Sequence, residues 1–135
     1  MWEAYDMQDD NFLWSGIHFM GGISGDNRGT CGAISGAAIC QGLRHRCSLA
    51  PENKDQAKVA RNKSRAQAGA LIKEFGEKFG HVACQELLQI DFSVPGAYQE
   101  FRSSGIAEKK CYQYVYFLID KLYAFENEEK SSSAG

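Results

Sequence analysis

Residues Gly21 to Cys47 run Gly-Gly-Ile-Ser-Gly-Asp-Asn-Arg-Gly-Thr-Cys-Gly-Ala-Ile-Ser-Gly-Ala-Ala-Ile-Cys-Gln-Gly-Leu-Arg-His-Arg-Cys. The first nine positions break any regular element, because glycines supply the positive-φ conformations that side-chain-bearing residues resist. From Thr30 to about Arg44 the residues become small almost all round, with Gly32, Ala33, Ser35, Gly36, Ala37 and Ala38, and no charge precedes Arg44. A glycine weakens a helix by roughly 1 kcal/mol relative to alanine, so Gly32 and Gly36 need a reason. Close approach of a neighbouring backbone, or of a bound group, supplies one. The stretch predicts a central, buried helix of small residues. Thr30 suits an N-cap and Cys31 the first helical position. There the helix dipole and unpaired N–H groups favour a thiolate, and Arg28, three residues upstream, adds positive charge.

Outward from this stretch the chain reads as helical throughout, with its only prolines, Pro51 and Pro95, between periodic segments. A first apolar segment, about Asp9 to Met20, carries Phe12, Leu13, Trp14, Ile17, Phe19 and Met20. From about Glu52 to Gly80, Ala60, Ala68, Leu71, Ile72, Phe75 and Phe79 recur at helical spacing. Lys54, Lys58, Arg61 and Arg65 form a basic stripe on one face of it. Short helices are expected over Ala83–Ile90 and Pro95–Arg102. A last strong helix runs from Ile106 to about Phe125, with Cys111, Val115, Leu118, Leu122 and Phe125 on one stripe. Tyr112, Tyr114, Phe117 and Ile119 broaden that stripe, and the aromatic residues there, Tyr116 included, read as core and helix interface. The fold class is therefore all-α, a single compact bundle of five to six helices over residues 1–130, with 131–135 a polar, disordered tail.

At 135 residues the chain is long enough to bury a core without disulfides. Its formal net charge of −2 argues against general nucleic-acid binding. Met1 is followed by acidic residues rather than a basic and then apolar leader, and the apolar run Phe12–Ile23 is too short to span a bilayer. The cytoplasm is the expected compartment, without membrane insertion. Five cysteines in such a chain point to metal ligands, redox-active thiols or buried apolar residues rather than to a secreted disulfide framework. An odd count leaves at least one thiol free, metal-bound or paired between chains, so a homodimer is open.

Cys84 opens its short helix as Cys31 opens the central one, and His81, three residues earlier, is placed to hydrogen-bond or deprotonate it. Cys111 lies on the apolar stripe of the last helix. Cys31 and Cys40 are nine apart, about half a turn out of phase at ~100° per residue, so any site must be assembled from different helices. No Cys-x-x-Cys, haem-attachment or iron–sulfur run is present.

Cys31-Gly32-Ala33-Ile34-Ser35-Gly36 matches the Cys-Gly-Ala-x-x-Gly motif of the C_GCAxxG_C_C family of small redox-active proteins, and the chain resembles that family over roughly residues 9 to 125. Phe19-Met20-Gly21-Gly22-Ile23-Ser24-Gly25 is similar to its glycine-rich lead-in. Phe79-Gly80 with Cys84-x-Glu86-Leu87 is similar to the surroundings of its third cysteine, and Cys111 to its fourth. The family's first cysteine has no counterpart, since no cysteine precedes Cys31; Cys40 and Cys47 are extra and are candidates to replace it. The resemblance implies redox chemistry without naming a substrate.

The glycine-rich loop lacks a P-loop ending and follows no strand, so a tight turn into a packed helix is the plainer reading than a nucleotide site. The basic stripe reads as a solvated face, with docking of an acidic redox partner protein as the functional alternative. His18 and His45 are isolated, His18 reading as a core residue. The expected activity is thiol redox exchange or electron transfer, possible for a thiol oxidoreductase. Cys31 is the accessible low-pKa thiolate, Cys84 or Cys111 its resolving partner and His81 a base. Gly32, Gly36 and Arg28 border any bound group. Two other classes stand beside it. One is a site in which Cys31, Cys84 and Cys111 hold an iron–sulfur cluster or other thiolate-bound metal; the other is a structural helical protein with inert cysteines.

Overall fold

The computed structural model describes residues 9–133, apart from the side chains of Phe12, Ser132 and Ser133. Glu3 and Asp6 of the acidic N-terminal stretch, and residues 134–135, lie outside the described residues. Within them the fold is all-α, a bundle of six helices. They are α1 (Asp10–Gly16), α2 (Gly32–Arg44), α3 (Lys54–Phe79), α4 (Cys84–Leu88), α5 (Ala97–Ser103) and α6 (Tyr112–Ser133). One 3-10 turn, Ile17–Phe19, prolongs α1; another, Pro51–Asn53, opens α3; and a π-helical turn, Ala107–Cys111, leads into α6. The last helix runs to Ser133, past the point where the sequence suggested a tail.

Helix ends follow local chemistry. The Asp9 carboxylate accepts the Asn11 N–H at 2.9 Å and caps α1. Gly80, at φ +88°, stops α3 where another residue would be strained. Lys110 closes α4 from the far side: its ammonium donates to the carbonyl of Leu87 at 3.1 Å, satisfying an end that has no helical partner of its own.

The small-residue helix α2 is central, packing on both α3 and α6, which also pack on each other. Its inner face presents Ile34 and Ala37, both buried, to Leu71 and Phe75 of α3 and Tyr114 and Leu118 of α6. Phe75 is wholly buried and meets Phe79, Tyr114 and Phe117 at centroid distances of 4.7, 5.5 and 6.1 Å, the tilted and edge-on arrangements that aromatic quadrupoles favour. Arg44 fastens the far end of α2 to α6 by donating to Leu122 O at 3.1 Å and Glu126 Oε2 at 3.3 Å. Tyr112 and Tyr116 do not join the core; both are exposed. Each stands two residues from a core residue of α6, Tyr114 or Leu118, about 200° around the helix at ~100° per residue, and so faces away from the core.

The glycine-rich loop and the segment before α4 are joined by the single extended pairing among the described residues, an antiparallel bridge between Thr30 and Ala83. Cys31 N–H donates to Val82 O at 2.8 Å, and Cys84 N–H donates to Gly29 O at 2.9 Å. Asn27 locks this junction. Fully buried at φ +53°, a conformation asparagine tolerates better than most residues, it donates from Nδ2 to Ile90 O at 2.6 Å and accepts the Phe92 N–H at 3.4 Å. Its carbonyl also accepts the Gln85 N–H at 2.6 Å. Gly22, at φ +69°, has no room for a Cβ, which would lie 2.7 Å from Asn27 Cα.

Asn27→Ala removes the partners of two half-buried backbone groups, Ile90 O and Phe92 N–H, and is expected to cost about 1–3 kcal/mol of unfolding free energy in chemical denaturation. A cost within 0.5 kcal/mol of zero, the range of ordinary surface substitutions, would show that the loop is held by other means.

Candidate thiol pocket

The bridge sets two cysteines side by side. Thr30 and Ala83 face one side of the short ribbon, so Cys31 and Cys84 both face the other, diagonal to each other. Diagonal positions in antiparallel pairs stand about 7–8 Å apart between Cα atoms. The π-turn delivers Cys111 to the same region. All three cysteines line one cavity of about 480 Å³, together with Gly32 and Gly36 of α2 and an aromatic wall of Phe92, Tyr98 and Phe101.

The helix-start expectation for Cys31 needs correcting in one respect. Cys31 is the N-cap of α2, with α2 beginning at Gly32, while Thr30 belongs to the bridge. Cys31 is also buried rather than accessible, with 8% of its surface exposed. Burial pushes its thiol above the ordinary range, and the backbone N–H groups of Ala33 and Ile34 offset this only in part. Cys84 is pushed up to about 12, first by burial and then by the charges that Cys31 and Cys111 would carry. Cys111 is raised by burial and by Cys31. The dipole argument fails here because a helix terminus contributes about 0.3–1 kcal/mol near the surface, whereas desolvation shifts a buried group by several pKa units. These are neutral thiols at pH 7.

Arg28 does not add its charge to the pocket. It is exposed, forms a two-pronged pair with Asp26 at 2.7 and 2.8 Å, and is absent from the cavity wall. His81 is exposed as well, and no hydrogen bond joins it to Cys84 among the described residues. His18 is not a core residue; it lies at the surface with Nδ1 3.2 Å from Ser24 Oγ. His45 is not isolated, since its Nε2 stands 2.6 Å from Gln67 Oε1. Cys40 is buried one turn beyond Gly36 on α2, and Cys47 lies beyond the helix end in a separate cleft lined by Arg46, Arg61 and Arg65. Neither lines the thiol pocket.

The two motif glycines have different reasons. A Cβ at Gly32 would lie 2.8 Å from Phe19 O and 3.1 Å from Met20 Cα, so the start of α2 is pressed against the preceding backbone. A Cβ at Gly36 would meet nothing within 4 Å, and Gly36 borders the cavity. The aromatic wall went unnoticed in the sequence, where the one available signal was Tyr98 and Phe101 three apart on a short helix. Asn27 gave no signal beyond its place in a glycine-rich turn. Among the described residues, no group of three or more His, Cys, Asp or Glu side chains is set to hold a metal ion. The thiols thus share a wall without forming a ligand set.

The fold and site define a small all-α protein with three thiols around one apolar pocket. The chain belongs to the family described as "Putative redox-active protein (C_GCAxxG_C_C)", whose model matches residues 1–125. No curated protein and no solved structure matches the chain. No helix among the described residues is long and apolar enough to cross a membrane.

Raised thiol pKa values have a consequence for stability. The unfolded thiols ionise near pH 9 while the folded Cys84 resists up to about 12, so its stabilising share is complete below pH 9 and is lost as pH rises toward 12. In urea titrations across that range, the fall of unfolding free energy with pH should be shallower in Cys84→Ala than in the parent. Equal slopes would mean that Cys84 ionises alike in both states.

Proposed function

We propose that the protein is a two-electron dithiol–disulfide carrier whose working couple is Cys31 and Cys84, with Cys111 as a third thiol in the same pocket. The observation that carries this reading is the Thr30–Ala83 bridge, which puts both sulfurs on one side of a ribbon and on one cavity wall. In the forward direction two S–H bonds break, one S–S bond forms, and two protons and two electrons pass to an acceptor.

Cys31 is the first thiol to react, because Ala33 and Ile34 N–H groups stabilise its thiolate while nothing comparable acts on Cys84. Cys84 then closes on the Cys31 sulfur. Disulfides span Cα separations of about 4.4–6.8 Å, so closure draws the two segments together by about 1 Å, a shift centred on the Gly29 and Gly32 ends of the ribbon. The high thiol pKa values make oxidation faster as pH rises, because the thiolate is the attacking species.

Mild oxidation of the reduced protein with diamide tests this. The expected product is a monomer lacking two hydrogens, with peptide mapping placing the disulfide between Cys31 and Cys84. Cys31→Ser and Cys84→Ser should each abolish it, and Cys111→Ser should leave it. Oxidation confined to Cys40 and Cys47, or no disulfide at all, would overturn the reading.

A further inference from the structure

We infer that the thiol pocket binds a small neutral quinone and that Cys31 and Cys84 reduce it to the hydroquinone, a step that rests on the dithiol couple proposed above. The walls decide the class of molecule. Not one acidic, basic or histidine side chain lines the cavity. A phosphate-bearing nucleotide, glutathione or a charged peptide would leave its charges desolvated and unpaired there, which is prohibitive. Peroxide or dioxygen needs no such space, whereas about 480 Å³ suits a ring-sized ligand.

Aromatic surface favours an unsaturated, ring-bearing molecule. Phe92 packs against Tyr98 and Phe101 at centroid distances of 5.4 and 5.3 Å, making a wall of aromatic surface in the same cavity as the three thiols. Gly36 supports a bound group independently. It is a mid-helix glycine with a helix cost of roughly 1 kcal/mol relative to alanine. Unlike Gly32, it has no neighbouring backbone that forbids a side chain. The missing Cβ instead leaves room in the cavity. A second cavity of about 600 Å³ shares Ile17, Met20, Gly25 and Tyr98 with the first and extends to Trp14 and His18. Trp14 and Met20 are exposed apolar residues there, at 68% and 57%. The two spaces share that wall, with ring space at the sulfurs on one side and room for a substituent on the other.

The chemistry balances. The Cys31 sulfur adds to a ring carbon while its proton goes to a carbonyl oxygen. The Cys84 sulfur then attacks the Cys31 sulfur, the carbon–sulfur bond breaks with its electron pair entering the ring, and the second proton goes to the other oxygen. Two thiols and one quinone become one disulfide and one hydroquinone. The ionised fraction of Cys31, favoured by the Ala33 and Ile34 N–H groups, is the attacking form, while the quinone that enters the apolar space is neutral.

The test uses the full reduced chain, without oxygen, mixed with tetramethyl-1,4-benzoquinone, whose fully substituted ring cannot permanently arylate a thiol. Quinone absorbance should fall with saturation, one hydroquinone appearing per Cys31–Cys84 disulfide. Gly36→Leu, which fills the ring space, should slow this about tenfold or more while diamide still forms the disulfide. Should that variant fail to fold, the dimethyl ether of tetramethylhydroquinone, an inert isostere, should compete with the quinone and raise its half-saturating concentration, while excess diamide given time still forms the disulfide. Diamide oxidation without quinone reduction overturns the quinone site and spares the dithiol couple, as does quinone reduction that neither the variant nor the isostere slows. Failure of both oxidants overturns both.

Discussion

The structure depends on one short junction. Two segments that are irregular by themselves, the glycine-rich turn and the stretch between α3 and α4, are held together by two backbone hydrogen bonds across Thr30 and Ala83 and by the buried side chain of Asn27. A two-bond ribbon is marginal in water. It persists here because both segments are anchored at the far side: Cys31 caps α2, and α4 is tied to α6 through Lys110 and through the Tyr114 hydroxyl, which donates to Leu87 O at 3.3 Å. The cysteines are consequently positioned by the whole bundle rather than by their own loop.

The same junction decides the electrostatics. Placing Cys31 and Cys84 beneath a packed bridge removes them from water, and removal from water outweighs the helix terminus that would otherwise have made Cys31 a strong thiolate. A protein built for rapid exchange with a charged, water-borne disulfide has its reactive sulfur exposed and its pKa low. This one has three neutral thiols facing an apolar space. The balance favours chemistry inside the pocket, with a molecule that enters, over chemistry at the surface.

Much of the architecture was legible because packing and periodicity coincide. The small-residue run made α2 central, and Leu71, Phe75, Leu118 and Leu122 carried the partner faces of α3 and α6 at helical spacing. The neighbourhood of Cys31, Cys84 and Cys111 rested on motif resemblance alone, since residues 53 apart in sequence, Cys31 and Cys84, meet through a pairing of two irregular segments that periodicity does not register. Burial of Cys31 was likewise invisible. Sequence spacing shows where a helix begins but not what lies over its first residue. Tyr112 and Tyr116 were misplaced because they were read as part of a broad apolar face, whereas on α6 they lie about 200° around from Tyr114 and Leu118 at ~100° per residue. Arg28 was misread because the carboxylate that takes its charge, Asp26, lies only two positions away and competes with any distant sulfur.

Native-state hydrogen exchange at three amides tests the junction most directly. The Cys31, Cys84 and Gln85 N–H groups donate to Val82, Gly29 and Asn27 carbonyls, respectively. If the junction holds the sulfurs together, these three should exchange slowly and with a common opening free energy. Rapid exchange at all three, with amides in α3 and α6 still protected, would mean that the segments bearing Cys31 and Cys84 come apart freely, and the shared pocket would not stand.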